Sequence, residues 1–106
     1  MHKNDYIHRD IKPENILLFE NNLVKLCDFG WCVKLTLAQR TTFCGTFEYM
    51  APEMIKKNLY GKEIDIWALG ILLYEMIHGH SPFRPRKSSF TDEDIINNII
   101  NQNYIK

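Results

Sequence analysis

The segment from Ile64 to Ile77 reads IDIWALGILLYEMI, and it constrains the fold more than any other part of the chain. Wound as a helix, it carries apolar side chains on nearly every face, so it calls for neighbours all round. It is too short to span a bilayer and includes Asp65 and Glu75, which points to a buried helix rather than a membrane segment. The helical run extends from Glu63 to His78 and closes at Gly79, a residue that accepts the left-handed conformation at a helix end. Leaving such a helix without partners forfeits roughly 2–3 kcal/mol for each large side chain left in water.

The 106 residues form one domain at most. Lysine plus arginine balances aspartate plus glutamate at 13 each, so no global field draws the chain to nucleic acid or to anionic lipid. Cys27, Cys32 and Cys44 are odd in number and lie in no metal-ligand spacing. With no signal peptide ahead of them, they are expected to be reduced thiols of a cytosolic or nuclear protein.

Around the long helix the signals are shorter. Residues 2 to 15 show no clear period and contain Lys12-Pro13, which predicts a loop. Ile16 to Phe19 and Leu23 to Asp28 flank the turn-forming ENN, a pattern for a short β-hairpin. From Gly30 to Pro52 the sequence is irregular, and a loop that long in a compact domain is usually functional or mobile. A second helix is expected from Thr91, which can cap it, with Asp92, Glu93 and Asp94 suiting the positive end of its dipole. Its stripe of Ile95, Ile96, Ile99 and Ile100 needs a partner surface that little remaining sequence can supply.

The chemistry gathers at the start, in HRDIKPEN at residues 8 to 15. Asp10 and Asn15, with Asp28 on the loop leaving the hairpin, are hard oxygen donors of the kind magnesium takes alongside phosphate oxygens. Lys12, two residues beyond Asp10 on an extended loop, points the same way. An anion to accept a proton and a cation to steady a phosphate suit the transfer of a phosphoryl group to a hydroxyl, a reaction that asks mainly for positioning and charge neutralisation.

His8-Arg9-Asp10 followed by Asn15, then Asp28-Phe29-Gly30, then Ala51-Pro52-Glu53 is the signature order of the eukaryotic protein kinases, which the chain resembles over essentially its whole length. The resemblance implies an α+β, protein-kinase-like fold with an incomplete C-terminal lobe, mainly α with a short β-hairpin. Residues 1–106 would then be a partial catalytic domain, running from the catalytic loop to the helix that begins at Thr91. The N-terminal lobe and the last helices of the C-terminal lobe would be absent, as a truncated gene or a fragment would leave it. Asp10 is implied as catalytic base and Lys12 as the contact to the transferring phosphate, a lysine there being similar to serine/threonine kinases. Asn15 and Asp28 would hold Mg2+, Leu17 would lie beneath the adenine of ATP, and Thr46 would stand beside Asp10 where peptide docks. His8 and Phe29 would stack in the internal spine, and Asp65 would brace the catalytic loop, which accounts for a carboxylate in so apolar a helix.

The stretch from Gly30 to Pro52 becomes the activation segment. Thr42 in RTTFCGT matches the activating phosphosite, with Arg9 as partner for its phosphate. Cys44 reads as a small residue in a tight loop. DFGWCV, RTTFCGT and APEMI are similar to the Aurora family. Gln39 and Cys32 depart from that pattern, and FEYMAPE looks more like the cyclic-AMP-dependent kinase group. Glu14 and Glu75 match positions that grip an arginine two residues before the acceptor, so substrates would be serine/threonine proteins that are basic upstream of the acceptor. Arg40 stands at that offset before Thr42, which suggests autophosphorylation in trans. An activating protein partner and a spindle or centrosome location are implied by the Aurora resemblance alone. A non-enzymatic short module that binds kinase partners is the competing expectation.

Overall fold

The computed structural model describes residues 1–34 and 45–104. Among these residues it has the α+β architecture, with three α-helices and two small antiparallel sheets. Strand β1 (Tyr6–Ile7) pairs with β4 (Val33–Lys34), and β2 (Ile16–Leu18) pairs with β3 (Val24–Leu26). In the second sheet Ile16 faces Leu26, Leu17 faces Lys25 and Leu18 faces Val24. The tight turn at Glu20–Asn22 puts Asn21 and Asn22 in the left-handed region, which asparagine tolerates better than most residues. The expected hairpin therefore forms, a little shorter than its apolar runs.

The loop expected over residues 2–15 contains β1, and the irregular stretch after Gly30 contains β4 and a 3-10 turn at Phe47–Tyr49. Strands of two residues are too short to show a period, so they leave no mark in the sequence. A one-turn helix α1 (Pro52–Ile55) follows, opened by Pro52, whose fixed φ suits a first helical position.

Helix α2 (Glu63–His78) ends at Gly79 with φ 79°, whose N–H returns to the Glu75 carbonyl at 2.7 Å. Its burial corrects the expectation of neighbours on every side. Ile64, Asp65, Ala68 and Ile71 are buried, whereas Ile66, Leu73 and Met76 are 59%, 58% and 73% exposed. Among the described residues the core occupies one flank of α2 only.

Helix α3 (Asp92–Ile100) does find a partner surface, again a correction. Ile95 and Ile99 pack with Ile11, Tyr49, Ala68, Ile71 and Phe83, so residues from earlier in the chain receive the stripe. Thr91 caps the helix by accepting the Asp94 N–H at 3.3 Å, and the Asp94 carboxylate accepts the Thr91 N–H at 2.9 Å. This reciprocal box satisfies two donors that would otherwise lack partners. A second cluster of Ile7, Met50, Ala51, Met54, Tyr60 and Ile64 seats β1 and α1 against the start of α2. No helix among the described residues is long and apolar enough to cross a membrane.

Candidate active site

The site is built outward from Asp65. Its buried carboxylate accepts the backbone N–H of His8 at 2.8 Å and of Arg9 at 3.0 Å, and the Nε2–H of His2 at 2.8 Å. Arg9 has φ 71°, a conformation disfavoured for a side chain of its size, and these bonds hold the loop in it. The next residue is Asp10. Its N–H donates to His8 Nδ1 at 3.1 Å, and His8 Nε2–H donates to the Cys27 carbonyl at 2.9 Å. Those two bonds select the Nε2–H tautomer. The same ring meets Phe29 edge-on at 5.2 Å, so His8 links the loop to the Asp28-Phe29-Gly30 turn.

Asp10, Lys12 and Thr46 converge. The Thr46 hydroxyl donates to Asp10 Oδ1 at 3.1 Å, and Lys12 Nζ donates to the same hydroxyl at 2.9 Å. Lys12 Nζ also lies 3.8 Å from Asp10 Oδ2. Asn15 Nδ2 donates to the Asp10 carbonyl at 2.7 Å and to its Oδ2 at 3.2 Å. Both carboxylate oxygens of Asp10 are thereby engaged, which fixes their direction. Thr46 reaches this position because Gly45 lies against the loop: at φ 98°, a Cβ there would stand 2.7 Å from the Arg9 carbonyl oxygen. Only glycine allows that approach.

The Cys27 N–H donates to the Asn15 carbonyl at 2.8 Å, which brings Asp28 to the end of the hairpin beside the loop. Asp28 is exposed, and its Oδ1 accepts the Gly30 N–H at 3.2 Å. With the Asn15 NH2 committed to Asp10, its amide oxygen and the Asp28 carboxylate are the donors open to a hard cation. Among the described residues no group of three or more His, Cys, Asp or Glu side chains forms a metal cage. An amide oxygen and one carboxylate fit magnesium, which completes its shell with water and phosphate. Leu17 is exposed on β2, on the opposite side of the strand from Ile16 and Leu18, which face α2.

The Arg9 guanidinium donates to the Trp31 carbonyl at 2.6 Å and to the Tyr60 hydroxyl at 2.9 Å. Thr42, Arg40 and Cys44 lie outside the described residues. Cys27 and Cys32 are free thiols.

Glu14 and Glu75 belong to one negative patch that includes a third acid the sequence reading missed. The Tyr49 hydroxyl donates to the Glu75 carboxylate. Burial, followed by the charges of Glu48 and Glu14, pushes the Glu75 pKa above its ordinary 4.5, and Arg84 opposes the rise. Arg84 Nε stands 3.2 Å from Glu48 Oε1. Glu48 and Arg84 meet only through the fold, across 36 residues of sequence. His2 beneath Asp65 was missed for the same reason.

The chain matches the model of the protein kinase domain over residues 1–106. An Aurora kinase of Eremothecium gossypii is 44% identical over 97 residues, which are 91% of this chain and 26% of that protein. An Aurora kinase of Encephalitozoon cuniculi is 49% identical over 86 residues, 81% of this chain and 32% of that protein. Aurora kinase A-B of Xenopus laevis is 49% identical over 82 residues, 77% of this chain and 20% of that protein. The chain thus spans about a quarter of the length of these curated relatives.

Proposed function

Since this chain belongs to the protein kinase domain family, we propose that it carries the phosphoryl-transfer centre of an Aurora-like serine/threonine kinase that uses ATP and Mg2+. One observation carries the reading: a hydroxyl, that of Thr46, already lies between the Asp10 carboxylate and the Lys12 ammonium. A substrate serine or threonine hydroxyl needs the same two neighbours.

Asp10 orients the substrate hydroxyl and takes its proton as the new O–P bond forms and the bond to the ADP leaving oxygen breaks. Lys12 offsets negative charge on the group in transfer. Asn15 holds the Asp10 carboxylate in place through its NH2, and its oxygen and Asp28 would hold the cation. Bound magnesium supplies charge neutralisation at the phosphate oxygens. Leu17 offers an apolar surface to adenine. Phe29 and His8 form the packed link between the loop and the magnesium turn.

The patch of Glu14, Glu48 and Glu75 favours substrates with an arginine two residues before the acceptor, through paired guanidinium–carboxylate contacts. Thr42 is the proposed activating phosphosite, and Arg9 the proposed receiver of its phosphate, exchanging its present bonds to Trp31 and Tyr60. Protein substrates of that basic kind, an activating protein partner, and a place at the spindle or centrosome belong to this proposal.

The test is phosphate transfer from ATP to a serine peptide by the natural protein and its Asp10→Asn variant. Transfer by the natural protein and a fall of at least about a hundredfold in the folded variant are expected. A folded natural protein, phosphorylated at Thr42, that transfers nothing, or an Asp10→Asn variant as fast as its parent, would overturn the reading.

A further inference from the structure

Arg84 stands on the connection between α2 and α3, and its guanidinium engages Glu48, one of the acids of the proposed arginine pocket. Its Nε reaches Glu48 Oε1 at 3.2 Å, and its guanidinium carbon lies 5.3 Å from the centre of the Phe90 ring, which steadies it. Its charge also reaches Glu75, where it opposes the rise that burial, Glu48 and Glu14 produce.

We infer that Arg84 is a specificity-determining residue: an arginine of the chain itself that occupies the Glu14–Glu48–Glu75 patch and must yield before a substrate arginine can enter. The inference rests on the reading of that patch as an arginine pocket.

Two features make the pair suited to such exchange. The Arg84 side chain is 54% exposed and that of Glu48 is 21% exposed, so solvent screens the contact and keeps it weak. The guanidinium nonetheless matches a substrate arginine in shape and charge, so both compete for the same carboxylate oxygens. A peptide with arginine at the recognised position has to displace this internal cation. A peptide without it does not. Arg84 therefore narrows the difference between the two.

The test compares two serine peptides that differ only by arginine or alanine two residues before the acceptor. Phosphorylation by the natural protein, by Arg84→Gln and by Arg84→Met is followed. The methionine variant keeps an apolar stem over Phe90 while removing the charge, and melting curves establish that both are folded. The arginine-over-alanine ratio of kcat/KM should rise about threefold in each variant, the factor carried by a weak exposed ion pair. The gain should lie in KM for the arginine peptide. Arg84→Lys should stay near the natural ratio. A ratio unchanged or lowered in both charge-removing variants overturns this inference and leaves the proposed function standing. A natural protein that phosphorylates neither peptide overturns both.

Discussion

Asp65 Oδ1 accepts the backbone N–H of Arg9 at 3.0 Å across 56 residues of sequence, and so one carboxylate on α2 sets the backbone that carries Asp10. Replacing Asp65 with asparagine keeps the volume but turns one acceptor into an NH2 group. Either the His8 or the Arg9 N–H then faces another donor, at a cost of about 1–3 kcal/mol for a buried group left unpaired. Arg9 also loses part of what holds it at φ 71°. In the natural protein, Asp65→Asn should lower the unfolding free energy by that amount, read from denaturant unfolding, and reduce kcat about a hundredfold, because Asp10 moves with the loop. Equal stability and equal kcat would remove Asp65 from the positioning role.

Gly45 is the matching constraint on the other side of Asp10. A methyl group there would stand 2.7 Å from the Arg9 carbonyl oxygen at a φ of 98°. The Gly45→Ala variant should be destabilised by about 1–3 kcal/mol, and Thr46 should withdraw from Asp10 and Lys12. Thermal unfolding and peptide phosphorylation read the two effects separately. A variant with natural stability and natural kcat would mean that the backbone relaxes at no cost.

The parts of this fold that were legible in the sequence are those set by local rules. Helix α2 keeps its expected bounds, Glu63–His78, and its close at Gly79, because a sustained apolar run and a C-terminal glycine act within a few residues of each other. Thr91 was readable as a cap for similar reasons. The spacing of Asp10, Lys12 and Asn15 pointed to one loop, and that loop brings them together with Thr46. What escaped depends on contacts between distant residues. The pairing of Tyr6–Ile7 with Val33–Lys34 leaves no periodic trace, and neither does the meeting of Arg84 with Glu48. The exposed flank of α2 escaped for a different reason: composition shows how apolar a helix is, whereas the neighbours decide which side is covered.

On the proposed reading of Glu75 as a receiver of a substrate arginine, substrate recognition should depend on pH. Its folded pKa is raised above 4.5, first by burial and then by Glu48 and Glu14. A carboxyl raised in the folded state binds its proton more tightly there than in the unfolded chain. The stability it contributes is therefore greatest in acid and declines as pH rises from the ordinary value through the raised one. Ionised Glu75 is the form that attracts an arginine. The preference for the arginine peptide should thus fall as pH is lowered through the raised value, while Glu75→Gln should flatten that dependence and improve stability at neutral relative to acid pH. A Glu75→Gln protein with the same pH profile for the arginine-over-alanine ratio would refute this assignment.

The uncovered flank of α2 gives the last prediction. Ile66, Leu69, Leu73 and Met76 are exposed along it, and Leu18 and Val24 of the hairpin continue the apolar surface. Ile16, Leu18, Val24, Leu69, Leu72 and Met76 line an open groove there. Monomeric proteins seldom leave so much contiguous apolar surface in water, since each large side chain covered would contribute roughly 1.5–3 kcal/mol. Expressed by itself, apart from the natural protein in which the other tests are made, the 106-residue chain should therefore bind anilinonaphthalene sulfonate, associate in solution and melt without a sharp transition. Leu73→Glu with Met76→Gln should reduce both dye binding and association, because the charge falls on the exposed ridge and outside both buried clusters. A monomer that excludes the dye and unfolds cooperatively would show that this ridge is stable in water as it stands.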